Sequence, residues 1–157
     1  MRKDNKGFTL LEILLVVAAI AILAGIVIVA LNPSKQLGDT RNAERSSEVN
    51  AILNAISQFS LDNGGALPTG MDSITGTVQV LGTANSGCDT TCSVASSTAA
   101  CLDIDGDIVP DYVVGIPADP STGTDANTDY YVNTTVGGRV VVGACDPEQS
   151  AVIEIER

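Results

Sequence analysis

The sequence predicts an α+β protein: one long N-terminal helix, apolar in its first half and amphipathic in its second, laid on a small antiparallel β-sheet. Three observations carry that expectation. Ile13 to Leu31 contains no polar or charged residue. Val49, Ile52, Leu53, Ile56 and Phe59 then recur at intervals of three and four, which makes one apolar stripe of a helix. Beyond Pro68, short alternating segments set between Gly-, Ser- and Thr-rich stretches read as strands.

The first half of the helix has the dimensions of a membrane span. Its nineteen-residue run gives roughly 28 Å at ~1.5 Å per residue, close to the ~30 Å hydrocarbon core of a bilayer. Phe8, Leu10 and Leu11 extend the apolar surface, and Glu12 interrupts it. A charge at the bilayer centre costs ~2.5–3.5 kcal/mol on insertion scales, so an intramembrane carboxylate normally has a partner and a purpose. In a lone monomer Glu12 can instead turn its head back to the interface. Ala18, Ala21, Ala24 and Gly25 include one small-x3-small pair, Ala21/Gly25, that would let helices approach closely in lipid; the same residues also suit a plain lipid-facing helix.

Asn32-Pro33 follows. Proline either kinks a continuing helix or restarts one with Asn32 as N-cap. The amphipathic half is expected at about 34–62. Its upper part carries Asp39, Arg41, Glu44, Arg45 and Glu48; Arg41–Glu44 and Arg45–Glu48 stand three apart and can pair on a solvated face, or meet charges on neighbouring chains. Leu61-Asp62-Asn63-Gly64-Gly65 ends the helix with glycines for a left-handed cap, and Pro68 prevents a restart.

The strands are expected at Thr77–Val80, Asp129–Val132, Arg139–Val142 and Ala151–Glu156, with Gly137-Gly138 as the turn of a hairpin. They make a three- or four-stranded antiparallel sheet on the amphipathic helix. Asn85–Ala100 reads as an irregular loop held by cysteines. No internal repeat and no second domain are evident.

Composition and charge narrow the function. The 157 residues leave room for one modest domain beyond the apolar run. Net charge is −11; Arg2, Lys3 and Lys6 against Asp4 give Met1–Gly7 a net +2, so the remainder carries −13. Basic flanks stay cytoplasmic, which puts the N-terminus inside and everything after Leu31 outside. An exterior this acidic argues against nucleic-acid binding through the body. There is no His and no activated-nucleophile pattern, so no enzyme is expected.

With aromatics at 3% and no Trp, the core is small and needs staples. Cys88, Cys92, Cys101 and Cys145, placed outside the membrane, read as two disulfides. Of three connectivities, Cys88–Cys92 as a tight local loop with Cys101–Cys145 as the long closure is favoured. A four-cysteine zinc site would use paired short spacings that are missing here.

One acidic loop, with Asp103, Asp105, Asp107 and Asp111 around Gly106, offers oxygens that a hard cation such as calcium prefers. The spacing departs from the EF-hand, because Gly106 is fourth from Asp103 and the twelfth position is Val114. The same aspartates read equally as turn residues and solubilising charge. No other cofactor is implied.

Lys6-Gly7-Phe8-Thr9-Leu10-Leu11-Glu12, behind a short basic stretch, resembles the class III leader of bacterial type IV prepilins and pseudopilins. The resemblance implies a pilin-like fold and three segments: a leader at 1–7, a transmembrane assembly helix at 8–31 and an extracytoplasmic domain at 32–157. It implies cleavage after Gly7 by a prepilin peptidase, methylation of Phe8, and pairing of Glu12 with the N-terminal amine of a neighbouring subunit. The implied partners are identical or related subunits, the peptidase, the membrane and an inner-membrane assembly platform. The implied product is an extracellular type IV pilus or, for a pseudopilin, a short periplasmic filament of a secretion or DNA-uptake machine. A monomeric, membrane-anchored, calcium-responsive binding module is the reading from a different class. Unlike the best-known pilins, the chain has no proline inside Ile13–Leu31.

Overall fold

The computed structural model describes residues 7–94 and 96–157; the leader charges Arg2, Lys3, Asp4 and Lys6 lie outside the described residues. The chain divides into two compact units, Met1–Leu37 and Gly38–Arg157.

The first unit is built on α1 (Leu10–Leu31), none of whose residues is buried. It is long and apolar enough to cross a membrane. Its end answers the question posed by Asn32-Pro33. Asn32 takes a left-handed backbone, φ 41°, which asparagine tolerates better than most residues. Its side-chain oxygen accepts from the Lys35 amide at 3.4 Å. Pro33 then opens α2 (Pro33–Asp62) at the first helical position, where a missing N–H costs nothing. The helix is interrupted and restarted.

The second unit is a four-stranded antiparallel sheet in the order β1-β2-β3-β4, with β1 Gln79–Val80, β2 Tyr130–Thr134, β3 Val140–Ala144 and β4 Glu154–Glu156. The α+β class and all four expected strands are present. The hairpin between β2 and β3 closes with the Thr135 and Gly138 amides donating to the Arg139 and Thr135 carbonyls. Gly138 supplies the positive φ of 75° that this turn requires.

The predicted stripe of α2 covers one face of this sheet. Val49, Ile52, Leu53 and Ile56 are buried against Tyr130, Val132, Val140 and Val142, with Leu81, Ile104 and Ile108 closing the sides. Phe59 packs edge-on to Tyr112, ring centres 5.9 Å apart. α2 ends as its glycines imply: Gly64 has φ 67°, and the Gly65 amide reaches back to the Ser60 carbonyl at 2.7 Å.

Successive strand residues face opposite sides. Tyr131 therefore leaves the α2 face and joins a second, smaller core with Val78, Val80, Cys88 and Cys145. Its cross-strand partner is Gly143, where any Cβ would overlap the Tyr131 ring. Between the strands lie a 3-10 turn (Cys88–Thr90) and α3, a single turn at Asp105–Ile108.

Candidate functional site

Each unit holds one arrangement of interest. In the first, Thr9 is the N-cap of α1, and its hydroxyl accepts from the Glu12 amide at 3.2 Å. Glu12 is thus the third residue of the helix, where the unsatisfied amides of the first turn favour a negative charge. The pattern Thr-x-x-Glu is that of a capping box, a sequence signal for the start of α1 that the hydrophobicity argument passed over. Gly7 and Phe8 immediately precede this cap and are exposed, Phe8 by 79%. The face on which Ala21 and Gly25 lie, with Ile22, Ile26, Val29 and Ala30, forms a shallow apolar groove.

The second arrangement is a polar clasp on α2. Arg45 is fully buried. Its guanidinium grips both oxygens of buried Asp119, Nη2 at 2.9 Å from Oδ1 and Nε on Oδ2. Two more of its hydrogens reach Ser121 Oγ and Asn42 Oδ1, each at 3.0 Å. One turn earlier, Arg41 makes the same two-pronged contact with Glu148, Nη2 at 2.7 Å from Oε2. Asn42 pairs with the Glu148 backbone in both directions, donating to its carbonyl at 2.9 Å and accepting from its amide at 3.0 Å. Glu48 accepts the Tyr130 hydroxyl.

Gly38 completes the seat, because a Cβ there would lie 2.6 Å from Gln149 Nε2 and 2.7 Å from Glu148 Oε2. The segment it faces is strained: Gln149 and Ser150 have φ of 58° and 57°.

This corrects the expected pairing of Arg41 with Glu44 and of Arg45 with Glu48 on a solvated face. Both arginines reach instead to loops 74 and 107 residues away. The physical reason is desolvation. The guanidinium of Arg45, enclosed against the sheet, needs a carboxylate that is itself enclosed and hydrogen-bonded; Asp119 is one, whereas Glu48 is taken up by the Tyr130 hydroxyl.

Burial alone would push the Asp119 carboxyl up; Arg45 and the amides of Ser121 and Thr122 outweigh it and hold the group below its ordinary value. The contact with Arg41 lowers Glu148. Glu48 is raised, chiefly by burial. The clasp fixes two loops to a helix.

The four loop aspartates are not gathered on one point. Asp103 and Asp105 line a cavity of about 310 Å³ together with Asp125, Gly82 and Thr128. Asp107 instead accepts from the Thr69 amide, and Asp111 is exposed. The local reason is α3: Asp103 Oδ1 accepts from the Asp105 amide at 3.0 Å, starting a helical turn that fans the later side chains apart. Among the described residues, no three His, Cys, Asp or Glu side chains form a group that could hold a metal ion. Asp105 is raised by burial and by the charges of Asp103 and Asp125.

The cysteines pair, but not in the expected order. The bridges are Cys88–Cys101 and Cys92–Cys145, with Cα atoms 5.3 Å and 4.5 Å apart. The Cys88 amide donates to the Ala99 carbonyl at 3.0 Å and the Cys101 amide to the Ala84 carbonyl at 2.8 Å. The two arms of the loop therefore run side by side and bring Cys88 to Cys101. Asn127 Nδ2 meanwhile holds Thr91 Oγ1 at 2.6 Å, which keeps Cys92 beside the end of β3, where Cys145 follows. A Cys88–Cys92 bridge would remove both partners from these contacts.

An exposed apolar helix with Thr9 as its cap and Glu12 in its first turn, directly after Gly-Phe and followed by an α+β unit, resembles chains made with the class III leader of type IV pilins and pseudopilins. Residues 2–28 match the family described as the prokaryotic N-terminal methylation motif. The chain is similar to the type II secretion system core protein G of Escherichia coli (strain K12), 40% identical over 65 residues, which cover 40% of this chain and 43% of that protein. The match thus spans less than half the length of this relative. No solved structure matches the chain.

Proposed function

We propose that the protein is a structural subunit of a type IV pilin-class filament, cut after Gly7, methylated at Phe8 and polymerised through Phe8–Leu31. The observation that carries this reading is α1: a 22-residue helix with no buried residue, headed by the methylation motif. A helix apolar all round is stable only in lipid or against other helices. The precursor sits in lipid with its N-terminus on the cytoplasmic side, and assembly exchanges lipid contacts for contacts with the same helix of other subunits.

Glu12 supplies the register. Its carboxylate and the amine of a neighbour's Phe8 are both stranded in apolar surroundings unless they meet, which selects one stagger. The similarity to a secretion-system protein favours the pseudopilin form, a short filament beneath the outer surface, over a long surface pilus.

Intact mass and N-terminal sequencing of the protein from its native cell test the reading. A chain beginning at methylated Phe8 supports it; a chain beginning at Met1 would leave a plain anchor. Glu12→Ala should then abolish incorporation into sedimentable filaments while the subunit remains in the membrane. Recovery of the native protein in sheared surface filaments would favour the pilus over the pseudopilin.

A further inference from the structure

The order in which the cysteines are joined points to a partner. Numbered along the chain, the first pairs with the third and the second with the fourth, so the two bridges interleave. On the reading above, the second unit enters the oxidising compartment N-terminal end first, and Cys88, Cys92 and Cys101 all arrive before Cys145. Two of the three pairings then open to those first three cysteines are wrong.

Chain entropy also favours error at Cys92. Its native partner is 53 residues away, whereas Cys88 lies at a separation of 4 and Cys101 at 9. Loop closure falling as the three-halves power of length makes the Cys88 encounter about fifty-fold more frequent than the Cys145 one.

The contacts that bring the cysteines into native order hold only once the segment is ordered, and little orders it beforehand. The smaller core is made of Val78, Val80 and Tyr131 with Ala84 and all four cysteines, so half of it is cystine. The described residues of 83–101 contain one short 3-10 turn and a single bridge residue, Ser96. Without its bridges the segment has few apolar groups to bury, and oxidation therefore precedes its ordering.

We propose that this unit is a substrate of a thiol–disulfide isomerase, a dithiol protein that resets Cys92 onto Cys145. The chemistry balances in two stages. Each thiol pair first gives two electrons and two protons to a protein disulfide, which leaves as a dithiol. For a misjoined Cys88–Cys92 bridge, a catalyst thiolate then attacks one sulfur, forms a mixed disulfide and frees the other cysteine as a thiolate. Exchange with the second bridge returns the catalyst unchanged, with no net oxidation.

The test uses the full chain, reduced and denatured, then transferred to detergent and reoxidised. A protein-disulfide oxidant is supplied either alone or with a bacterial-type dithiol isomerase. Unreduced protein is digested with an aspartate-directed protease and with elastase, to cut at Asp89 and Val94, and the linked peptides are identified by mass. The expected result is mostly Cys88–Cys92 linkage with oxidant alone and at least a five-fold rise in the Cys92–Cys145 peptide when the isomerase is added. The variant C92S/C145S keeps one native pair and should form Cys88–Cys101 equally well in both conditions. Equal yields of Cys92–Cys145 with and without isomerase overturn the proposal, as does a C92S/C145S variant that needs the isomerase just as much. The assay contains no filament, so a failure of the assembly reading shows separately, in the N-terminal mass of the native protein.

Discussion

At the scale of single residues, the most consequential side chain is Arg45. Taking a guanidinium and a carboxylate out of water is costly, and the pair tolerates it because each nitrogen of the fork has an acceptor: Asp119 twice, Ser121 and Asn42. Removing one member leaves the other buried and uncompensated. Arg45→Met is therefore expected to destabilise the second unit by about 3–5 kcal/mol in urea unfolding followed by circular dichroism. The double variant R45M/D119N should recover part of that loss, since the neutral amide no longer strands a charge and its oxygen can still accept from the Ser121 amide. A single variant as stable as the parent would mean that the clasp contributes nothing net. Glu12 is the opposite case, a carboxylate in an exposed position with the helix terminus beside it. On the proposed function its role lies in what it meets outside the chain.

At the scale of elements, the sheet is held in register by an unusual cross-strand pair. Tyr131 lies over Gly143, and its hydroxyl donates to Glu154 at 3.1 Å, so one side chain of β2 spans β3 to reach β4. Gly143→Ala should displace the ring and cost about 1–3 kcal/mol, the usual penalty for overpacking. In a Tyr131→Ala background the same change should cost almost nothing, and a double-mutant cycle by thermal unfolding reads the difference. These elements also mark where sequence reasoning succeeds. Val49, Ile52, Leu53 and Ile56 could be placed because a helical stripe is a local pattern, and Tyr130, Tyr131 and Val132 because alternation is local too. Thr9 was equally local, through Thr-x-x-Glu. The partners of Arg41 and Arg45 were not, since no short-range pattern joins residue 45 to residue 119. The cystine order failed for the same reason: proximity in sequence favours Cys88–Cys92, while the backbone contacts of Ala84 and Ala99 favour Cys88–Cys101.

At the scale of the whole molecule, stability and function are divided between the two units. Every buried residue described belongs to the Gly38–Arg157 unit, and α1 contributes none. The charge is divided in the same way: the four arginines of Gly38–Arg157 face seventeen acids, and Arg41, Arg45 and Arg139 are already engaged in ion pairs. The second unit thus holds the described core and most of the acidic charge, and the first is a helix whose apolar surface is exposed. A fragment beginning at Gly38 should dissolve without detergent, unfold cooperatively, and melt within about 4 °C of the full chain in detergent. A larger shift would imply a loss above about 1 kcal/mol at this size. The clasp makes this a demanding test, because Gly38, Arg41 and Asn42 stand within five residues of the new terminus, where helix ends fray. If Asn42 and Arg41 hold Glu148 as tightly as their geometry implies, the strained Gln149–Ser150 segment stays ordered and its amides remain protected from hydrogen exchange. A fragment that melts non-cooperatively, or loses that protection, would mean that residues before Gly38 stabilise the fold as well as anchor it.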